Sequence, residues 1–219
     1  MSQSYEQGKQ IRGPQGAARS VRGQAVRPSR VLVIDGAYHP RLSVAAGRAA
    51  PRQKFYNLRM KEKIHKTNAA RQLDELNIPY ELIPYQVDEE DLSAAHVASS
   101  LGENIDQVYK TLVLRGDKTG LFVCVIPGAA ELDLKAAARA SGNKSCEMLH
   151  VKELFPLTGY IRGGCSPLGM KKHFPTFIHE DCILWDYIYI SAGIRGLQIK
   201  MSPNDLLQAA GAVPVPLCR

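Results

Sequence analysis

The sequence is poor in the features that usually reveal a function directly. No apolar run nears the roughly 18 residues a membrane-spanning helix needs. The longest, such as Leu121 to Pro127, are strand-sized, so no membrane partner is expected. Five cysteines (Cys124, Cys146, Cys165, Cys182, Cys218) are widely spaced and form no C-x-x-C pair. That argues against a disulfide framework and a structural zinc site and favours a reducing, cytoplasmic setting. The histidines show no ligand spacing and no H-E-x-x-H, so neither a metal nor a cofactor is expected. Also missing are a phosphate-binding G-x-x-x-x-G-K-[ST] loop, a G-x-S-x-G nucleophile elbow and a paired-carboxylate signature.

What is present is ordinary in bulk: 219 residues, 45% hydrophobic and 22% charged, enough for a self-sufficient core and typical of a globular domain. The net charge of +7 invites a nucleic-acid reading, but its distribution weakens that reading. Residues 1–59 hold 11 basic and 2 acidic side chains, whereas residues 60–219 hold 17 and 19. The first piece, with Gly and Pro recurring before any helix gathers a turn, reads as a disordered basic extension in which only Val31 to Ile34 resembles a strand. An organellar transit segment, a nucleic-acid-binding arm and an extension ahead of a native start at Met60 all stay open for it. The domain is expected to run over 60–219.

Within that domain Thr67 caps a helix with Ala70, Leu73 and Leu76 on its apolar face, stopped by Pro79. A strand follows over Tyr80 to Val87, then a helix over Ala94 to Leu101 begun by Ser93 and ended by Gly102. Val108 to Leu114, a G-D-K-T-G turn and Leu121 to Ile126 form a hairpin. A helix over Leu134 to Ala140, a short strand at Cys146 to Leu149 and a helical turn at Val151 to Phe155 lead into a Gly-rich stretch. Strands at Phe177 to His179, Trp185 to Ser191 and Leu197 to Met201 follow. Ser202-Pro203-Asn204-Asp205 then reads as a cap, a first-turn proline and an acid opening a last helix over Leu206 to Ala210. Interspersed strands and helices without a repeat indicate a single compact α/β domain with a mixed sheet.

Four features carry possible chemistry, each with a plainer explanation. Lys110, in Y-K-T-L, starts a strand, where lysines are commonly just solvated. Gly159 to Gly169 (G-Y-I-R-G-G-C-S-P-L-G) has four glycines and a proline that bring backbone N–H groups within reach of a ligand, although such loops are usually only turns. Ser191 to Gly196 (S-A-G-I-R-G) is a second Gly-rich loop carrying a cation, or simply a hairpin connection. Cys165 sits where a nucleophile could, but no neighbouring His activates it.

The ordered set D-Q-V-Y-K-T-L, L-D-L-K, G-Y-I-R-G-G-C-S-P-L-G-M-K-K, P-T-F-I and I-Y-I-S-A-G-I-R-G-L, spanning about Met60 to Gly211, resembles the YbaK/EbsC family. These are Cys-tRNA(Pro) deacylases related to the editing insertion domain of bacterial prolyl-tRNA synthetase. The resemblance implies a barrel-like mixed sheet flanked by helices. It also implies hydrolysis of Cys-tRNA(Pro) in trans, with the acceptor end of the tRNA as substrate, prolyl-tRNA synthetase as a partner and translation fidelity as the role. Cysteine and proline are too alike in size for one binding step to separate them well, so a second, hydrolytic site is useful. The family lysine maps onto Lys110, holding the substrate rather than attacking it. The G-x-x-x-P loop maps onto Gly163 to Pro167, with Gly164 and Ser166 inside it. Thr111, Ser191, Gly193 and Arg195 complete the implied pocket, and Tyr85 aligns with a family tyrosine near it or is merely a strand aromatic. Attack by the substrate's own thiol explains the missing protein nucleophile. Gln198 stands where some relatives have an aspartate, which removes any role needing a negative charge there. The alternatives are a deacylase for another small amino acid, such as Ala-tRNA(Pro), and a non-catalytic tRNA- or synthetase-binding module.

Overall fold

The computed structural model describes residues 66–219; the expectations for 1–59, the Val31 to Ile34 strand included, lie outside the described residues. Five α-helices and eight strands follow the order expected of an α/β domain: α1 (Asn68–Glu75), β1 (Glu81–Pro84), α2 (Ala94–Leu101), β2 (Tyr109–Gly116), β3 (Gly120–Pro127), α3 (Leu134–Ala140), β4 (Cys146–Met148), α4 (Val151–Thr158), β5 (Thr176–His179), β6 (Ile188–Ser191), β7 (Leu197–Met201), α5 (Pro203–Ala210) and β8 (Val213–Val215).

The strands form two sheets. One is antiparallel with order β1-β7-β6, and the other is mixed with order β4-β2-β3-β5-β8. In the second, the β2–β3 and β2–β4 pairs are antiparallel while β3–β5 and β5–β8 are parallel. The mixed sheet is as expected, but the strands do not close into a barrel. The sheets are linked by one isolated parallel bridge, Val108 to Tyr189, and part beyond it.

The β3 sequence G-L-F-V-C-V-I-P has no polar alternation because both faces of its sheet are covered. Val123 and Val125 join Tyr109, Val113 and Ile178 in the main core, whereas Phe122, Cys124 and Ile126 join Leu114, Ala137 and Leu217 on the other face. Fully burying one such side chain contributes about 1.5 to 3 kcal/mol, so each face of β3 is a substantial source of stability. A third cluster packs Tyr85, Val97, Val108 and Tyr189 where the sheets meet.

Local signals set most helix ends. Thr67 accepts from the Ala70 amide at 3.2 Å, Ser93 from His96 at 3.2 Å, and Asp133 from Lys135 and Ala136 at 2.8 and 3.3 Å. Gly102, Gly159 and Gly211 close α2, α4 and α5 in the left-handed region.

Six details differ from expectation. Ala69 takes the buried place on α1 assigned to Leu76, which is exposed. The first strand is shorter than expected, Glu81–Pro84. Helix α4 continues through Pro156 to Thr158, because the missing proline N–H removes a single bond that the rest of the turn outlasts. Residues 180–184 form a 3₁₀ turn, and β6 starts only at Ile188. Ser202 caps α5 by position but makes no side-chain bond. The edge strand β8 went unforeseen; Pro214 is tolerated in its middle because an edge residue need not donate to a ladder on its outer side.

Candidate functional site

Where the two sheets part, β2 has an open edge. Leu149 N–H donates to the Val113 carbonyl at 2.9 Å, so Val113 and, two residues back, Thr111 direct their backbone polar groups away from β3. On that side β4 pairs only with Leu114 to Gly116, and β6 is bridged only at Val108. Residues 110–112 therefore have no strand partner opposite β3. A cleft of about 430 Å³ lies against this gap. Its floor is β2, with Gln198 from β7; the start of α2 with Leu92 to Ala94, the side chains of Met148, Leu149, Val151 and Leu154, and Arg162, Gly163 and Cys165 of the Gly-rich loop line the rest.

Two buried polar atoms on this cleft have no hydrogen-bond partner, Thr111 Oγ1 and Gln198 Oε1. A group left that way costs about 1 to 3 kcal/mol, so two lining one cleft suit an incoming ligand. A third, Tyr109 Oη, opens on a separate cleft beside Trp185 and Asp181. The Lys110 ammonium donates to the Gly128 carbonyl at 2.9 Å, leaving two further N–H groups. Burial pulls its pKa below the ordinary lysine value, an effect opposed by Cys218 and Glu131. Among the described residues Lys110 and Arg162 are the cleft's charged lining side chains and no carboxylate lines it, so the site suits an anion or the developing negative charge of an ester carbonyl. Cys165 also lines it, but burial pushes its thiol up to about 12; it stays protonated and is a poor nucleophile.

Of the residues singled out from the sequence, the cleft brings together Lys110, Thr111, Gly163 and Gln198. The others support it from behind. Tyr85 is buried in the cluster between the sheets. Gly164 packs against the backbone of Ile194 and Arg195. Ser166, fully buried, accepts from the Leu168 amide at 3.3 Å, and Ser191 accepts from the Gly193 amide at 3.2 Å. Pro167 lines a different cleft beside Gln72. Arg195 is ion-paired with Glu89 and donates from Nε to the Arg162 carbonyl at 3.0 Å, tying one Gly-rich loop to the other. From a distance, Gln72 Oε1 accepts from Gly169 N–H at 2.7 Å, and within the loop itself Tyr160 Oη donates to the Leu168 carbonyl at 2.6 Å. With the loop held this way, the Gly163 and Cys165 amides are left without a protein acceptor among the described residues. Sequence reasoning missed Arg162, Gly128 and the α2 wall; only the S-x-x-H start of α2 and the R-G-G triplet hinted at them.

An α/β domain whose two sheets part around a cleft with two cations and, among the described residues, no carboxylate has a site of the class that receives an anionic ligand end. Residues 88–209 match the aminoacyl-tRNA editing domain family. The protein "Putative Cys-tRNA(Pro)/Cys-tRNA(Cys) deacylase EbsC" of Enterococcus faecalis is 52% identical over 142 residues, covering 65% of this chain and 87% of that one. The "Uncharacterized protein YwhH" of Bacillus subtilis is 26% identical over 109 residues, 50% of this chain and 69% of that one. A solved structure described as "a putative trans-editing enzyme for prolyl tRNA synthetase" shares the fold, with a TM-score of 0.59 and 21% identity over 78% of this chain and 99% of that one. This chain belongs to the aminoacyl-tRNA editing domain family.

Proposed function

We propose that the protein is an aminoacyl-tRNA deacylase that hydrolyses Cys-tRNA(Pro) in trans, with Lys110 as the group that holds the ester. The observation that carries this is the cleft itself, with two cations, no acid, two unsatisfied polar side-chain atoms and no competent protein nucleophile. The family supplies the reaction class, and the 52% identical relative, named for Cys-tRNA(Pro) and Cys-tRNA(Cys), supports the amino acid.

With no nucleophile in the wall, the substrate's thiol attacks its own ester carbonyl. The S–C bond forms as the ester C–O bond breaks, the thiol proton passes to the departing ribose oxygen, and water opens the resulting thioester. The protein contributes orientation, and a well-held intramolecular attack gains roughly 7 to 11 kcal/mol in this way. It also contributes charge stabilisation by the Lys110 ammonium and the Gly163 and Cys165 amides; one such donor is worth about 2.7 to 4 kcal/mol. Prolyl-tRNA synthetase is the proposed partner that brings in the correct tRNA, and the cytoplasm is the proposed setting. Among the described residues, no helix is long and apolar enough to cross a membrane.

Incubation with Cys-, Ser-, Ala- and Pro-tRNA(Pro) tests the reading. Rapid release from the cysteinyl substrate alone is the expected result. Equal rates for Ser- and Cys-tRNA(Pro) contradict thiol attack, preference for Ala-tRNA(Pro) reassigns the substrate, and no release above the spontaneous rate leaves a binding module.

A further inference from the structure

Arg162 differs from every other cation near the cleft in how it is held. It is the second residue of a turn from Ile161 to Gly164, closed by the Gly164 amide on the Ile161 carbonyl at 3.0 Å. Gly163 takes the third position with φ +81°, the left-handed conformation a type II turn requires there. The Arg162 carbonyl accepts from Arg195 Nε, and Arg195 is in turn paired with Glu89. The backbone of Arg162 is thus fixed from two directions. Its side chain is exposed, and no carboxylate among the described residues pairs with it. Lys110 sits deeper, with one donor already on Gly128.

Arg162 lines the cleft together with two apolar side chains that are well exposed for their type, Met148 at 45% and Val151 at 59%. A guanidinium with a free planar fork matches a phosphate, and exposed apolar side chains offer a surface to a base. A nucleotide presents both groups.

We propose that Arg162 binds a backbone phosphate of the single-stranded 3′ end of the tRNA at the cleft mouth, as a residue that anchors the tRNA end while the aminoacyl ester occupies the cleft beside Lys110. This rests on the deacylase reading, and its test is chosen to stand apart from it. Binding of the 5′-phosphorylated trinucleotide CCA and of adenosine, which has no phosphate, is followed by NMR titration of the full chain, for wild type, Arg162→Ala and Arg162→Lys, between 50 and 200 mM salt. Arg162→Ala is expected to weaken CCA binding about tenfold at the lower salt. It should also flatten the slope of log K against log salt by about 0.7, the value for one contact to a single strand. Arg162→Lys should keep the slope but not the full affinity, and adenosine should bind all three alike. In deacylation, Arg162→Ala should raise KM and leave kcat within about twofold. Unchanged CCA affinity and slope in Arg162→Ala overturn the proposal, and so does an equal loss for adenosine, which marks a structural role. An Arg162-dependent slope in a protein that deacylates nothing supports the phosphate contact while removing the deacylase reading. Normal deacylation with an Arg162-independent KM removes the phosphate contact alone.

Discussion

The floor of the cleft and its Gly-rich wall are built on opposite plans. On the β2 floor the backbone of Lys110 and Leu112 is engaged in the ladder to β3 while that of Thr111 faces the open edge, and the side chains of Lys110 and Thr111, with Gln198 from β7, remain available to a ligand. On the Gly-rich wall the side chains hold the structure: Ser166, Ser191, Arg195, Tyr160 and Gln72 all bond to backbone atoms of the two loops, and it is backbone amides that stay free. A strand fixes its main chain through neighbours and can offer side chains, whereas a loop fixed by side chains can offer main chain. Residue types that look catalytic in a loop motif, such as the two serines and Arg195, are therefore the ones structure uses up.

This contrast makes graded predictions. The largest effect is expected at Lys110. Lys110→Ala should lower kcat/KM for Cys-tRNA(Pro) by at least about 100-fold, the scale of losing one charge-stabilising donor, with Tm unchanged. A matching fall in Tm would make Lys110 structural and erase the difference between the floor and the Gly-rich wall.

Next comes Gly169→Ala. Gly169 has φ +68°, and an added Cβ would lie 2.5 Å from the Ala69 amide nitrogen. A loss of about 1 to 3 kcal/mol in urea unfolding, with activity falling alongside, is expected. A variant that keeps wild-type stability would show the Gly-rich wall to be looser than its bonds imply. Ser166→Ala should be milder, about 1 kcal/mol for one neutral hydrogen bond, with activity largely retained. A 100-fold loss of kcat at unchanged stability would instead make Ser166 a ligand contact.

The pH dependence separates the two roles of Lys110. Its pKa is below the ordinary lysine value, so as pH rises between the two values the unfolded chain binds more proton than the folded one. The lysine's contribution to stability therefore rises with pH while its ammonium, and the activity needing it, is lost. Deacylation falling at a pH below the usual lysine range, with no parallel loss of stability, is the expected signature in a pH–rate profile. The limb should vanish in Lys110→Ala. The smallest effect is assigned to Cys165→Ala: deacylation rates within about twofold of wild type, since the thiol is protonated and its backbone amide survives the change.

How much of this could be read beforehand follows the same division. Helix α2, from its Ser93 cap to Gly102, and the β2–β3 hairpin were legible because their signals are local: a cap, a stop and an apolar run around a turn. Lys110, Thr111, Gly163 and Gln198 were reachable through the motifs they belong to. The supporting partners were not, because Gln72 meets Gly169 and Glu89 meets Arg195 across 97 and 106 residues of sequence, and no spacing rule carries that far. Arg162 was hidden for another reason: inside R-G-G the glycines draw attention, and only the turn geometry shows that the arginine is the residue presented. Strand β8 escaped because a proline in a three-residue segment argues against a strand unless its place at the sheet edge is known.

That edge has a bearing on how the protein behaves in a crowded solution. The five-stranded sheet begins with β4 and ends with β8, each three residues long, and the second carries Pro214 at its centre. Rims only three residues long, one of them interrupted by an imino acid, give another copy of the chain little template at the sheet's two ends. The molecule can thus keep a long, nearly all-apolar strand such as β3 in its middle without that strand seeding fibrils. Replacing Pro214 with valine would test this guard, with a rise in self-association in light scattering as its sign.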